Sequence, residues 1–119
     1  MGFMSKAPIH TVVSTSAFQR VAKKLDVSEA ELQSIYDVYA SDPGFGKVEL
    51  KTGGLRKGRV AKDSTGKSGG YRVFSFFADE ANPVFLLWML DKSEDDSLTD
   101  EQKNVFKTAL AALKKELKK

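Results

Sequence analysis

Residues Val84–Leu90 read Val-Phe-Leu-Leu-Trp-Met-Leu, an apolar run with no polar alternation. The run is far shorter than the roughly 20 residues that cross a bilayer. A short continuous run bounded by turn residues reads instead as a strand buried on both faces, so it predicts the centre of a sheet. Asp79–Pro83 precede it as a turn, and Tyr71–Ala78 before that form an aromatic and β-branched strand. Hairpin connections make such strands antiparallel in sequence. A sheet with two covered faces needs helices to cover them, and the rest of the chain must supply these.

The first half supplies two. Ile9–Val13 is a short β-type run, followed by Ser14, Thr15 and Ser16 as candidate caps. Phe18, Val21, Ala22 and Leu25 then recur at helical spacing. After a break at Asp26, Ser28 and Glu31 have the spacing of a capping box, which satisfies two orphan backbone donors. Leu32, Ile35, Tyr36 and Tyr39 give that helix its apolar face, and Asp42-Pro43-Gly44 ends it. Strand character begins at Leu55–Ala61. The last element is a helix capped by Thr99 with Gln102, with a stripe of Phe106, Leu110, Leu113 and Leu117 and lysines at its negative pole. The predicted order is β-α-α-β-β-β-α: an α+β fold, with a small antiparallel-rich sheet, two N-terminal helices and a C-terminal helix. A length of 119 residues suits one domain, with residues 1–8 as a flexible lead-in.

Charge is unevenly spread. Between Lys47 and Arg72 eight residues are basic and two are acidic, although the whole chain carries only +3. Concentrated Lys and Arg mark a surface for a polyanion, because they neutralise phosphates and release counterions. Alternation puts Arg72, Phe74 and Phe76 on one face of their strand and Tyr71, Val73, Ser75 and Phe77 on the other. Arg72 then lies opposite Arg56, Lys57 and Arg59, with Lys67 in the connecting turn and Lys92 after the apolar strand. These cations are expected to converge on one patch. The aromatic residues of the two strands, Trp88 included, read as core. Glu94-Asp95-Asp96 reads as a solvated loop.

Several chemistries are excluded. The chain has no cysteine and one histidine, so thiolate catalysis, a disulfide scaffold and a His/Cys metal site all fail. His10 reads as a surface or sheet-edge residue. Ala61–Ser68 match a relaxed phosphate-loop spelling, but the following residues form a strand, whereas a phosphate loop opens a helix. The start, Met-Gly-Phe-Met-Ser-Lys-Ala-Pro, lacks the apolar stretch of a secretory signal. A cytoplasmic protein without cofactor or membrane partner is expected.

Gly53-Gly54-Leu55-Arg56-Lys57-x-Arg59, then Gly66-Lys67-Ser68-Gly69-Gly70-Tyr71-Arg72-Val73, then an apolar strand ending at Lys92 with Asp96-x-Leu98-Thr99 before a helix, resemble the RelE/HigB-type toxins of bacterial toxin–antitoxin modules. The resemblance covers residues 15–118 and is most specific from Gly53 to Arg72. It implies a metal-independent endoribonuclease that cuts mRNA in the ribosomal A site, and an antitoxin, often of helix-turn-helix type, that silences it. RNA brings its own nucleophile, the 2′-OH, so such a protein must position phosphate and stabilise developing charge. On that basis Arg59 and Arg72 clamp the scissile phosphate, and Lys67 and Lys92 supply electrostatic stabilisation or proton transfer. Arg56, Lys57 and Lys62 hold flanking RNA or rRNA, and Tyr71 either stacks on a base or serves the structure. Relatives carry tyrosines in the third strand, where this chain has Phe74, Phe76 and Phe77, so catalysis here would rest on arginine and lysine. ParE-type gyrase poisons share the fold, and a non-catalytic RNA or ribosome binder is the remaining alternative.

Overall fold

A computed structural model describes residues 9–61, 70–91 and 96–118. Its elements are β1 (Val12–Ser14), α1 (Ser16–Lys24), α2 (Glu29–Ser41), β2 (Lys47–Val48), β3 (Arg56–Val60), β4 (Tyr71–Phe77), β5 (Val84–Asp91) and α3 (Asp100–Leu117). The strands form one mixed sheet in the order β1-β5-β4-β3-β2. β1 runs parallel to β5, and the other pairs are antiparallel. The α+β reading therefore holds. β2, a two-residue edge strand with Val48 half exposed, was too short to leave a pattern in the sequence.

The sheet has a core on each face. On one side α1 and α2 lay Phe18, Ala22, Ile35 and Tyr39 against Val73, Val84, Leu86 and Met89. On the other, α3 packs Leu110 with Leu55, Phe74 and Phe76, flanked by the rest of its expected stripe, Phe106, Leu113 and Leu117. The strand buried on both faces is β4, where Val73, Phe74, Ser75 and Phe76 are all enclosed. The expectation that Val84–Leu90 would be covered throughout is corrected. β1 pairs only with Val84–Leu86, so the second half of β5 has no outer neighbour from β1. Trp88 there is 38% exposed.

Local chemistry explains how the helices start and stop. Thr15 is the cap of α1: its Oγ1 accepts from Phe18 N and donates to Leu86 O at 2.9 Å, which ties the helix start to β5. α1 stops where Asp26 turns left-handed at φ 59°. The amides of Asp26 and Val27 return to the carbonyls of Lys23 and Ala22, a Schellman closure. The boxes at Ser28/Glu31 and Thr99/Gln102 both form. His10 lies at the sheet edge, just before the outer strand β1, and is partly buried. It donates from Nε2 to Asn82 O at 2.7 Å and meets the Phe77 ring edge-on, pinning the chain before β1 to the β4–β5 turn.

Two glycines serve close packing at the β2–β3 corner. A Cβ on Gly58 would lie 2.6 Å from the Phe45 ring, and Gly46 sits at φ +96° against the Lys57 carbonyl. Buried Thr52 closes the turn between β2 and β3, donating to Glu49 O at 2.7 Å and accepting from Leu55 N. That turn sets where Glu49 points.

Candidate nucleic-acid interface

Strand register decides which cations meet. Arg59 pairs with Arg72, Lys57 with Phe74, and Arg56 with Ser75. Paired residues share a face, so Lys57, Arg59 and Arg72 lie on the α3 side with Phe74. Arg56 falls on the opposite side, where its Nη1 donates to Gly46 O at 3.1 Å. The sheet thus separates Arg56 from the cluster that the sequence suggested it would join. Lys62, Lys67 and Lys92 lie outside the described residues, as does nearly all of the phosphate-loop spelling.

The cluster on the α3 side is not made of cations alone. Arg72 Nε donates to Asp96 Oδ2 at 2.5 Å, and Lys57 Nζ donates to Asp96 Oδ1 at 3.2 Å and to the Asp96 carbonyl at 3.3 Å. Glu49 Oε2 stands 3.9 Å from the same ammonium. Two cations face two carboxylates, so these four side chains sum to no net charge. All are largely covered: Arg72 is 15% exposed, and the others between 22% and 26%. Burial pushes the Asp96 carboxyl up, but the hydrogen bonds and charges of Arg72 and Lys57 outweigh it and hold the group below its usual range. Arg59 is exposed beside this network. Arg72 Nη1 is enclosed without a hydrogen-bond partner among the described residues.

Asp96 and Glu49 are the residues that sequence reasoning missed. Asp96 belongs to the acidic run that reads as a solvated loop. It is nevertheless drawn in, its carboxylate held by Arg72 Nε and Lys57 Nζ. Glu49 had no local signal, since its position depends on the Thr52 turn.

Tyr71 is also corrected. It is 3% exposed and belongs to the core under α1 and α2, on the face away from Arg72. Its hydroxyl donates to Glu31 Oε1 at 3.2 Å. Burial, and then the charges of Glu31, Asp91 and Asp26, push its pKa up to about 12. A ring enclosed in this way presents no face to a base.

Beside the network a mostly apolar groove of about 710 Å³ runs between β5 and α3, lined by Phe74, Trp88, Leu90, Leu98, Val105 and Phe106. Leu90 is the register partner of Arg72, so groove and ionic network adjoin. The described residues contain no group of three or more His, Asp or Glu side chains placed to hold a metal ion. Among them, no helix is long and apolar enough to cross a membrane.

The chain matches the family model described as the RelE toxin of the RelE/RelB toxin–antitoxin system, over residues 10–119. It belongs to the RelE toxin family. The mixed sheet with three helices agrees with that assignment, and membership implies an antitoxin as partner.

Proposed function

We propose that this chain is an mRNA-cleaving endoribonuclease, the HigB-like toxin of a two-component module, acting in the cytoplasm on mRNA held in the ribosomal A site. The observation that carries the reading is the pairing of Arg59 with Arg72 across β3 and β4, with Lys57 two residues along on the same face. Guanidinium groups at neighbouring positions match the oxygens of one phosphodiester.

In the proposed reaction the RNA 2′-OH attacks the adjacent phosphorus, and the 5′-oxygen of the next nucleotide leaves. Arg72 holds a non-bridging oxygen and stabilises the charge that develops on the phosphorane, a role worth about a hundredfold or more in rate. Arg59, exposed at the rim, takes the phosphate or its 3′ neighbour. Lys67 and Lys92 are kept as candidates for stabilisation and proton transfer on the strength of the resemblance. Lys62 is kept for flanking RNA on the same ground. Arg56, on the opposite face of the sheet, does not share the scissile phosphate and is proposed for flanking rRNA. The whole chain acts as one toxin domain, and a helix-turn-helix antitoxin is proposed to cover or distort the Arg59–Arg72 face.

Induced expression in a bacterial host tests this. Growth arrest with truncated mRNAs supports it. Arrest with intact mRNA and an induced DNA-damage response would instead mark a gyrase poison. A host that grows normally would leave a binding protein without nuclease action.

A further inference from the structure

Asp96 presents one carboxylate oxygen to each of two cations on neighbouring strands, Oδ2 to Arg72 Nε and Oδ1 to Lys57 Nζ. The two non-bridging oxygens of a phosphodiester can be bound by the same two donors in the same way. The Arg72 guanidinium also carries an enclosed donor, Nη1, that no described residue satisfies. The Asp96 carboxylate, which accepts from Nε, does not satisfy that donor. Asp96 itself lies in the stretch between β5 and α3, three residues before the Thr99 cap, and belongs to neither strand nor helix. Its carboxylate can therefore be withdrawn without breaking either element.

We propose that Arg72 and Lys57 together form a two-pronged phosphate site, and that Asp96 fills it as an internal stand-in until an RNA phosphate displaces it. The proposal rests on the RNA reading above and deepens it. It moves Lys57 from the flank to the phosphate itself, and it makes Asp96 a competitor of substrate. With Asp96 in place, the network of Arg72, Lys57, Glu49 and Asp96 is neutral and exerts little pull on a polyanion. With Asp96 withdrawn it carries one positive charge where the phosphate sits. Only RNA that is held and oriented by further contacts would then reach the cations, which restrains action on loose RNA.

The test is binding of a short, fluorescently labelled single-stranded RNA by the full-length protein over a series of salt concentrations, with 2′-O-methyl residues throughout so that no 2′-OH is free to attack. Asp96→Asn keeps the shape and removes the charge. It should bind about tenfold tighter at low salt, with a log–log salt slope steeper by about 0.7, as for one more phosphate neutralised on a single strand. Arg72→Ala and Lys57→Ala should each weaken binding, and adding Asp96→Asn to Arg72→Ala should restore little. If Arg72→Ala and Lys57→Ala weaken binding but Asp96→Asn leaves affinity and slope unchanged or lower, the competition is overturned and the RNA site stands. If none of the three changes binding, RNA does not use this face, and the RNA reading fails with the proposal. Wild-type protein gives a measurement that needs no variant. Titration with the non-cleavable RNA should shift the NMR signals of the Asp96 carboxylate and Arg72 Nε–H together, and the absence of any shift at saturating RNA would overturn the site.

Discussion

Arg72 and Asp96 stand 24 positions apart in the chain and are joined by a 2.5 Å hydrogen bond from Nε to Oδ2. The whole of β5 lies between them. The contact fixes the guanidinium on the α3 face of β4 and, through the second carboxylate oxygen, holds Lys57 of β3 beside it. The shortest hydrogen bond among the described residues of the candidate site thus joins a strand to the connection before α3.

Arg72→Ala should abolish growth arrest and lower RNA cleavage by about a hundredfold or more, as expected for loss of a charge-stabilising donor. The fold should survive, because Arg72 belongs to neither apolar core. Cleavage assays and circular dichroism on the same preparation check both halves, and full toxicity in the variant would place the active site elsewhere.

Acid should weaken the fold through Asp96. Its folded-state pKa lies below the unfolded value, so the stability it contributes is present above the unfolded pKa and is lost as pH falls through the folded one. Urea melts of wild type and Asp96→Asn below pH 5 should therefore converge as the wild-type carboxyl takes up its proton. A constant gap between the two at all pH values would show that the carboxylate charge is not what ties the network.

Tyr71 has the opposite sign. Its pKa is raised to about 12, so the folded state keeps the phenol protonated, and stability falls as pH rises from about 10 to about 12. Tyr71→Phe removes that dependence and costs about 1 kcal/mol at neutral pH through the lost hydrogen bond to Glu31. RNA cleavage should be unchanged. A large loss of cleavage in a stably folded Tyr71→Phe would return this residue to the site.

Gly58→Ala should destabilise by about 1–3 kcal/mol, because the added methyl lies 2.6 Å from the Phe45 ring and 3.2 Å from the Tyr39 hydroxyl. Lys57 and Arg59 flank it, so cleavage should fall further than stability alone explains. Thermal melts beside activity below the melting transition separate the two effects.

The helices and the longer strands could be read from sequence because their signals are local. Ser28 with Glu31, Thr99 with Gln102, and the Phe106–Leu117 stripe need only neighbours three or four residues away. Arg59 and Arg72 were legible as cations on facing strands. Alternation alone puts Arg56 on the face opposite Lys57 and Arg59, and the register with β4, which was not legible, decides that the Lys57 and Arg59 face is the one that carries Arg72. Tyr71 illustrates the same limit. Alternation separated it from Arg72, but its burial depends on α1 and α2 packing over that face. The roles of Asp96 and Glu49 arise from contacts across the sheet and from the Thr52 turn, which no spacing along the chain encodes. Trp88 is exposed where it lines the groove between β5 and α3, beyond the stretch of β5 that pairs with β1.

The most direct measurement is primer extension on a defined mRNA incubated with purified protein, with and without translating ribosomes, comparing wild type and Arg72→Ala. Cuts by wild type on the ribosome-bound message, absent with Arg72→Ala, are the predicted result. An intact message in every lane from folded wild-type protein, or equal cutting by both proteins, would contradict a ribonuclease centred on the Arg59–Arg72 pair.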